Sequence, residues 1–204
     1  MTDNTGRGPY PTIAVIGAGA WGTALAAVAR RAGREVRLWG RNAEDLAAMA
    51  RAGENARYLP GVALPAGIRM EPDIAAALDG AECALMVTPS RTLREMARRM
   101  APALPPGIPV VLCAKGIEQG SGKLLGEVVE EELPGHRIGV LSGPTFARET
   151  AMDFPTAVTL AFPFAAADRR APESAPASRL ALSLGSEKFR PYVSDDMVGV
   201  EVAG

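Results

Sequence analysis

The sequence contains few cysteine and histidine residues, and this scarcity limits the chemistry that it can support. Its 204 residues include two cysteines, Cys83 and Cys113, and one histidine, His136. Both cysteines lie within apolar runs, so we expect buried, reduced thiols rather than a disulfide or a metal-binding pair. A single histidine argues against a cluster of metal ligands, and we therefore predict no metal site.

The sequence also lacks an excess of charge of either sign. Its 22 basic and 23 acidic residues give a formal net charge of −1, which provides no general attraction to nucleic acid or to an anionic membrane. The longest apolar run is far shorter than a membrane span, and residues 1–8 have no apolar segment typical of a signal peptide. We therefore expect a cytoplasmic protein with neither nucleic acid nor a membrane as partner.

A glycine-rich turn lies near the N-terminus, between an apolar run and an alanine-rich helical pattern. Residues 13–16 lead into Gly17, Gly19 and Gly22, which have the spacing Gly-x-Gly-x-x-Gly. In a dinucleotide site the first glycine permits a tight turn, the second a close approach to a pyrophosphate, and the third close packing of the helix. The N-terminus of that helix would add free N–H groups. The pattern favours a dinucleotide site over a corner whose glycines serve packing alone.

Apolar runs alternate with helical patterns along most of the chain. We predict strands at 12–17, 36–39, 67–70, 84–87, 110–114, 138–141 and 156–161, and helices at 21–33, 43–52, 73–78, 91–100 and 122–132. Strands this apolar, separated by helices, indicate a sheet that is covered on both faces. The expected fold is α/β, with a doubly wound, Rossmann-like, mostly parallel sheet. The stretch 165–178 is rich in Ala, Pro and Ser, and we expect a surface insertion or mobile loop there.

The end of the second predicted strand bears on which nicotinamide cofactor would bind. In doubly wound folds a carboxylate at this point binds the ribose hydroxyls of NAD. Here the strand ends in Trp39 and Gly40, and Arg41 follows in place of an acid. A guanidinium at the position of a 2′-phosphate favours NADP(H), or tolerance of both cofactors. The simpler alternative is a solvated surface arginine.

Two loops that follow later strands carry candidate binding residues. Lys115 follows the strand 110–114, so it would project at the carboxyl edge of the sheet, where ligands of open α/β sheets bind. Its ammonium group could hold a phosphate or polarise a carbonyl. Gly143 and Thr145 follow the next strand and would offer a close backbone approach and a hydroxyl group. The loops favour an anion pocket opposite the glycine loop, but a surface lysine and a purely structural turn remain alternatives.

Six blocks of sequence occur in an order that resembles a known family. They are GAGAWGTAL at 17–25, LWGR at 38–41, NARYLP at 55–60, KGIE at 115–118, LSGPTFA at 141–147 and VGVE at 198–201. Together they resemble the bacterial NAD(P)-dependent sn-glycerol-3-phosphate dehydrogenases, over nearly all of the chain from residue 12 onward. The resemblance implies reversible hydride transfer between NAD(P)H and dihydroxyacetone phosphate, which gives the sn-glycerol 3-phosphate used in glycerophospholipid synthesis.

The resemblance also implies a set of binding residues. Cofactor contacts would fall at Gly17, Gly19, Ala20, Trp21, Gly22, Arg41, Tyr58, Lys115 and Ala147, and substrate contacts at Lys115, Gly143 and Thr145. The cofactor would be NADP(H) by preference, or NAD(H), and the full-length protein could form a homodimer. Ala20 departs from the family, whose members usually have serine there; this removes a hydroxyl contact but leaves the backbone N–H groups.

A second departure from the family concerns the C-terminal region. The lysine that transfers a proton in the family would lie just beyond Gly204, so the resemblance implies no catalytic residue within this chain. We expect a flexible N-terminus at 1–11, the NAD(P)-binding Rossmann domain at 12–193, and the first residues of a helical substrate domain at 194–204. That last segment would expose an apolar patch made of four side chains, Met197, Val198, Val200 and Val202. The chain alone would then bind cofactor with weak activity or none.

Two other functions remain open on the sequence. A different NADP-dependent reductase, of the ketopantoate reductase type, would share the glycine loop and the missing acid, but the blocks at 115–116 and 142–145 argue against it. A non-catalytic NADP(H)-binding module would use the same cleft as a sensor or scaffold.

Overall fold

The computed structural model describes residues 8–203, and within them eight strands form one sheet with helices on both faces. The strands are β1 (Thr12–Ile16), β2 (Glu35–Trp39), β3 (Ile68–Glu71), β4 (Cys83–Met86), β5 (Val110–Leu112), β6 (Ile138–Ser142), β7 (Thr156–Ala161) and β8 (Phe189–Ser194). The helices are α1 (Ala20–Arg31), α2 (Ala43–Ala52), α3 (Ile74–Leu78), α4 (Leu93–Met100), α5 (Leu125–Glu132), α6 (Ala147–Ala151), α7 (Ala166–Arg170), α8 (Pro176–Leu184) and α9 (Met197–Val202).

The sheet is doubly wound, with the strand order β3-β2-β1-β4-β5-β6-β7-β8. The strands from β3 to β6 are mutually parallel, β7 is antiparallel to β6, and β8 is parallel to β7. Residue Ile13 in β1 pairs with Val36 on one side and Cys83 on the other, so β1 lies inside the sheet. The predicted mostly parallel, Rossmann-like fold is confirmed.

Two apolar clusters form the core, one on each face of the sheet. Side chains alternate along a strand, so Ile13 and Val15 of β1 enter one cluster, and Ala14 and Ile16 enter the other. Both cysteines are buried, free thiols, as the sequence predicts. Burial raises the pKa of both thiols well above the usual range, because the thiolate would lose its hydration.

The stretch 165–178 lies largely at the surface, but the prediction of a mobile loop there is wrong. This stretch contains α7, a short 3-10 turn and the start of α8. The carboxylate of Asp168 is buried, accepts a hydrogen bond from Arg137 Nη2 at 2.7 Å, and caps the backbone N–H of Ala165 at 2.8 Å. Ala175 and Ala177 are also buried. Small alanine side chains produce little hydrophobic signal in the sequence, yet they pack closely here because a salt bridge anchors the segment.

The N-terminal segment is also more ordered than expected where the structure describes it. Residues 1–7 of the predicted flexible N-terminus lie outside the described residues. Tyr10 is buried, and its backbone N–H donates to Ser183 Oγ at 2.7 Å. The guanidinium of Arg179 lies 4.0 Å from the centre of the Tyr10 ring and donates to the carbonyl oxygen of Gly8 at 2.8 Å. Residues 8–11 are therefore held against α8, which the prediction of flexibility did not foresee.

The predicted apolar patch near the C-terminus is only partly exposed. Val198 and Val202 are exposed, but Met197 and Val200 pack against the core cluster that α4 and α5 cover. Glu201 is buried on the same side of α9. The helix α9 therefore lies against the sheet domain, with two of its four predicted apolar side chains facing outward.

Candidate cofactor site

A cleft of about 1150 Å³ opens at the carboxyl edge of the sheet. The chain runs from β1 outward through β2 to β3 and then returns to β4 on the other side of β1, so the sheet has its topological switch point between β1 and β4. Ligands of doubly wound sheets bind at this point. The cleft is lined by residues 17–22, by the segments that follow β2 and β4, by residues 54–58 and by Lys115.

The three glycines of the loop occupy positions with distinct steric requirements. Gly17 has φ of 128°, and a Cβ there would lie 2.4 Å from the carbonyl oxygen of Val87. A Cβ at Gly22 would lie 1.8 Å from the carbonyl oxygen of Gly17. At Gly19, by contrast, a Cβ would meet no atom within 4 Å. The outer glycines are therefore needed for packing of the turn and helix, whereas Gly19 borders open space.

The N-terminus of α1 faces this cleft. Gly19 is its N-cap, with no capping side chain, and the first turn contains no acidic residue. The first N–H groups of a helix have no intrahelical partner, so this end carries positive potential. Ala20 and Trp21 line the cleft here, each half-buried. An anionic group is the ligand that such an end stabilises.

Arg41 lies at the rim of the cleft, where β2 ends. It is exposed and lines the cleft, directly after Gly40, where a Cβ would come within 2.9 Å of the Ala18 Cβ. The nearby carboxylate of Asp45 is paired with Arg57 at 2.7 Å. The guanidinium of Arg41 is therefore available to a ligand at this end of the cleft, and the neighbouring acid is already engaged.

The structure places the residues predicted for the substrate close together, but only one of them lines the cleft. The Nζ of Lys115 donates to the carbonyl oxygen of Gly143 at 3.4 Å, and the N–H of Thr145 donates to the same oxygen at 2.9 Å. Lys115 lines the cleft, whereas Gly143 and Thr145 lie beside it. A Cβ at Gly143 would come within 3.1 Å of the Val158 Cα, so this glycine also serves packing against β7.

Of the two remaining predicted cofactor residues, Tyr58 and Ala147, only the first lines the cleft. Tyr58 lines the cleft, is 48% exposed, and has the guanidinium of Arg57 5.2 Å from its ring centre. Ala147 does not line the cleft but packs with Ala20 and Trp21 in a small apolar cluster. The helix α6, which follows the loop of Gly143 and Thr145, is therefore in contact with α1, the helix that begins at the glycine loop.

Arg94 fixes the loop that follows Lys115. Its guanidinium makes two hydrogen bonds to the carboxylate of Glu118, each of 2.8 Å, and further bonds to Glu131 and Glu132 on α5. The Arg94 guanidinium, together with the Ser121 hydroxyl, lowers the pKa of Glu118 to about 2. Glu118 thus stays ionised and ties the lysine-bearing loop to α4.

Asn55, which lies beneath the glycine loop, has no role predicted from the sequence motifs. It is 1% exposed and hydrogen bonds to Ala18, Thr23 and Tyr58. Its partners at 18 and 23 are 37 and 32 residues away in the chain, so no local pattern could have indicated them. The only sequence signal for this residue is that Asn55 begins the family-like block at 55–60.

The family-level comparison agrees with this geometry. A family model described as the N-terminus of NAD-dependent glycerol-3-phosphate dehydrogenase matches residues 12–167. The chain belongs to this family. The match includes the glycine loop, Arg41, Lys115 and the loop at 142–147, which together surround or adjoin the cleft.

Individual members of the family show the same relationship. The chain is 50% identical over 192 residues to the glycerol-3-phosphate dehydrogenase [NAD(P)+] of Rhodospirillum rubrum, covering 94% of this chain and 52% of that protein. A crystal structure of glycerol-3-phosphate dehydrogenase from Coxiella burnetii superposes with a TM-score of 0.82 at 38% identity, covering 95% of this chain and 56% of that one. The yeast enzyme from Saccharomyces cerevisiae, at 24% identity and a TM-score of 0.83, shares the fold. The chain therefore spans about half the length of the family members it matches.

Residues 8–203 contain neither a cluster of metal ligands nor a membrane-spanning helix. No group of three or more His, Cys, Asp or Glu side chains is placed to hold a metal ion there. No helix in that range is both long and apolar enough to cross a membrane. The cleft at the switch point is therefore the candidate site on which we base the function.

Proposed function

We propose that this chain binds NADP(H), or NAD(H), in the cleft and forms the cofactor-binding part of a glycerol-3-phosphate dehydrogenase. The observation that carries the proposal is the glycine loop: Gly17 and Gly22 admit no side chain, while Gly19 leaves open space before a helix N-terminus. This is the environment that a pyrophosphate requires. The related proteins are themselves named as NAD(P)+ enzymes.

The residues present fit a dinucleotide along the whole cleft. Gly17, Gly19 and Gly22 would shape the cradle for the pyrophosphate, and the backbone N–H groups of Ala20 and Trp21 would face it. The other proposed cofactor contacts that line the cleft are Arg41, Tyr58 and Lys115, and Ala147 is proposed from beside it, where it packs with Ala20 and Trp21. Thr88, just after β4, adds a buried hydroxyl group that has no hydrogen-bond partner in the described part of the chain. A polar ligand in the cleft would supply that partner.

Arg41 is proposed to select NADP(H). It is exposed at the rim of the cleft, no carboxylate occupies the end of β2, and Asp45 is paired with Arg57. A guanidinium binds a phosphate through two parallel hydrogen bonds. We therefore place the 2′-phosphate of NADP(H) at Arg41, with binding of NAD(H) as the weaker alternative.

The proposed substrate is dihydroxyacetone phosphate or sn-glycerol 3-phosphate, bound near Lys115, Gly143 and Thr145. Support comes from the 3.4 Å contact that joins the lysine to the Gly143 carbonyl, since it brings a cation to the loop at 142–147. Bound nicotinamide would supply the hydride. The carbonyl oxygen also needs a proton, which the family resemblance assigns to a lysine that would lie beyond Gly204. The product would serve glycerophospholipid synthesis.

A binding titration followed by an assay tests the proposal. NADPH and NADH are titrated against the 204-residue chain, with tryptophan fluorescence as the reporter because both Trp21 and Trp39 line the cleft. Saturable binding, tighter for NADPH, is expected. Dihydroxyacetone phosphate is then added and the loss of reduced nicotinamide is followed. A chain that binds neither nucleotide contradicts the proposal, and turnover as fast as a complete family enzyme contradicts our assignment of the proton-transfer group.

A non-catalytic NADP(H)-binding module is the second candidate. It uses the same cleft, so titration alone does not separate it from the enzyme. The family assignment favours the enzyme, and it does not favour a ketopantoate reductase. A chain continued beyond residue 204 in the manner of its relatives should reduce dihydroxyacetone phosphate; failure of such a chain would favour the sensor.

We also propose how the chain is divided and where it acts. Residues 12–193 form the cofactor-binding domain, and 194–204 lead into a helical substrate domain. The two buried free thiols, Cys83 and Cys113, suit a reducing compartment such as the cytoplasm. A homodimer of the full-length protein is kept as a proposal, with light scattering of that protein as its test.

A further inference from the structure

We propose that Asn55 is a positioning residue, whose side chain holds the glycine loop in the shape that receives the pyrophosphate and joins this loop to the turn bearing Tyr58. The inference rests on the proposed cofactor function. It adds a residue with no assigned role and explains how two separate cofactor-contacting segments are held together.

The hydrogen bonds of the Asn55 amide group support this role. Its Nδ2 donates to the carbonyl oxygen of Ala18 at 3.1 Å and to the hydroxyl of Thr23 at 2.8 Å. Its Oδ1 accepts from the backbone N–H of Tyr58 at 3.2 Å. Both donors and the acceptor are thus used at a side chain that is 1% exposed. An aspartate would lack the donors, and an alanine would leave the Ala18 carbonyl without its partner.

The bond to Ala18 determines the orientation of the peptide group that precedes Gly19. A trans peptide directs its C=O and N–H to opposite sides. When the Ala18 carbonyl turns toward Asn55, the N–H of Gly19 must turn away from it, and the space beside Gly19 is open. The amide of Asn55 therefore determines which way this N–H faces before any ligand binds.

The remaining bonds connect the loop to two other elements of the site. Thr23 belongs to α1 and is fully buried, so its hydroxyl group holds the Asn55 amide at a defined position relative to this helix. The backbone oxygen of Asn55 also accepts from the N–H groups of Tyr58 and Leu59, which closes the turn at 55–59. The side chain of Asn55 thus links the glycine loop, the helix α1 and the turn at 55–59. Such pre-organisation reduces the ordering cost of binding.

The test compares a ligand that contains the pyrophosphate with one that lacks both the pyrophosphate and the nicotinamide half. NADPH contains both, whereas 2′-AMP has the adenosine and the 2′-phosphate alone. The variants are Asn55→Ala, Thr23→Val and Thr23→Ser, and the control is Asp73→Ala, which removes the N-cap of α3 and does not line the cleft. Dissociation constants are measured by calorimetry, and the thermal midpoint of each variant is recorded.

Asn55→Ala should weaken NADPH binding about tenfold or more while 2′-AMP changes by less than about twofold, because only the first ligand uses the oriented loop. Thr23→Val should weaken NADPH by a smaller factor, and Thr23→Ser, which keeps the hydroxyl, should restore it. The Asp73→Ala control should lower the thermal midpoint with both affinities unchanged.

Two results would overturn the inference while leaving the cofactor function intact. One is a wild-type chain that binds NADPH and an Asn55→Ala chain that binds it equally well. The other is an equal loss of affinity for both ligands, which indicates general destabilisation. If Asn55→Ala does not fold, equal NADPH affinities of Thr23→Val and Thr23→Ser overturn it. A wild-type chain that does not bind NADPH overturns the proposed function and this inference together.

Discussion

The carboxylate of Glu201 accepts a hydrogen bond from the backbone N–H of Leu125, with 2.6 Å between Oε1 and N. A second bond of 3.2 Å comes from the N–H of Gly126. These groups begin α5, whose own N-cap position, Leu124, has no capping side chain. A residue 76 positions away in the chain thus provides the cap, and this contact holds α9 against the sheet domain.

Removal of this cap should destabilise the protein. Glu201→Ala leaves two buried N–H groups without a partner, so we expect a loss of about 1–3 kcal/mol in the free energy of unfolding. Glu201→Gln keeps an acceptor oxygen and should lose less. Thermal unfolding should show a fall of about 2–4 °C per kcal/mol for a chain of this size. The control is Glu130→Ala, which removes an exposed carboxylate from α5; equal shifts in both variants would contradict the prediction.

Substitutions in the glycine loop should separate effects on stability from effects on NADPH affinity. Gly19→Ala places a methyl group in open space, so stability should change by less than about 1 kcal/mol. NADPH affinity should nevertheless fall about tenfold or more, because the methyl group stands where the pyrophosphate is proposed. Gly22→Ala forces a contact of 1.8 Å with the Gly17 carbonyl and should cost about 1–3 kcal/mol of stability. Chemical denaturation and NADPH titration of both variants measure these effects, and unaltered NADPH binding by Gly19→Ala would refute the proposed position of the pyrophosphate.

Arg41 should control the choice between the two nicotinamide cofactors. Loss of charged hydrogen bonds to a phosphate typically costs about 1.5–3 kcal/mol, so Arg41→Ala should weaken NADPH binding about 10- to 100-fold. NADH affinity should be nearly unchanged. Arg51→Ala is the matched control, since Arg51 is exposed near the end of α2 and outside the cleft lining. Equal losses for NADPH and NADH would exclude the 2′-phosphate role.

The salt bridge of Asp168 should make stability depend on acidity. Arg137 holds the pKa of the Asp168 carboxyl below its usual range through their hydrogen bond. Because this carboxyl group has a lower pKa in the folded state than in the unfolded chain, its ionised form stabilises the fold at pH values above about 4, which is its pKa in the unfolded chain. This stabilisation is lost as the pH falls through the pKa of the folded state. The difference in stability between wild type and Asp168→Asn should therefore be largest near neutral pH and shrink in acid. Denaturation curves across that range test this, and a constant difference would contradict it.

The same variant should loosen the segment that the sequence indicated as mobile. The asparagine amide keeps one acceptor oxygen but lacks the charge and the second acceptor, so its bonds to the Ala165 N–H and to the Arg137 guanidinium are weakened. Limited proteolysis should then cut Asp168→Asn within 165–175 faster than wild type. Arg169→Ala, which changes an exposed side chain on the same helix, should leave the cleavage rate unchanged.

The sequence alone determined the strands from β1 to β7, the parallel character of most of the sheet and the candidate position of the cofactor. Apolar runs such as 13–16 and 110–112 are local signals, and so is the Gly-x-Gly-x-x-Gly spacing. The steric requirement at Gly22 is also local, because a Cβ there would meet the Gly17 carbonyl, whereas a side chain at Gly17 is excluded by the Val87 carbonyl that follows β4. The antiparallel direction of β7, the strand β8 and the helix α8 were not predicted. The β8 segment has exposed side chains, so it lacks the apolar pattern on which strand prediction depends.

Only the tertiary structure decided which distant residues contact one another. Asn55 reaches the glycine loop across 37 residues, Glu201 caps a helix across 76, and Asp168 meets Arg137 across 31. These contacts join groups whose hydrogen bonds are satisfied only after the sheet has brought their elements together. The sequence therefore determined where a dinucleotide could bind, because the spacing of the glycines between an apolar strand and a helix is a local pattern. The folded chain determined how the loop is held in shape, because burial and long-range hydrogen bonds arise only from packing.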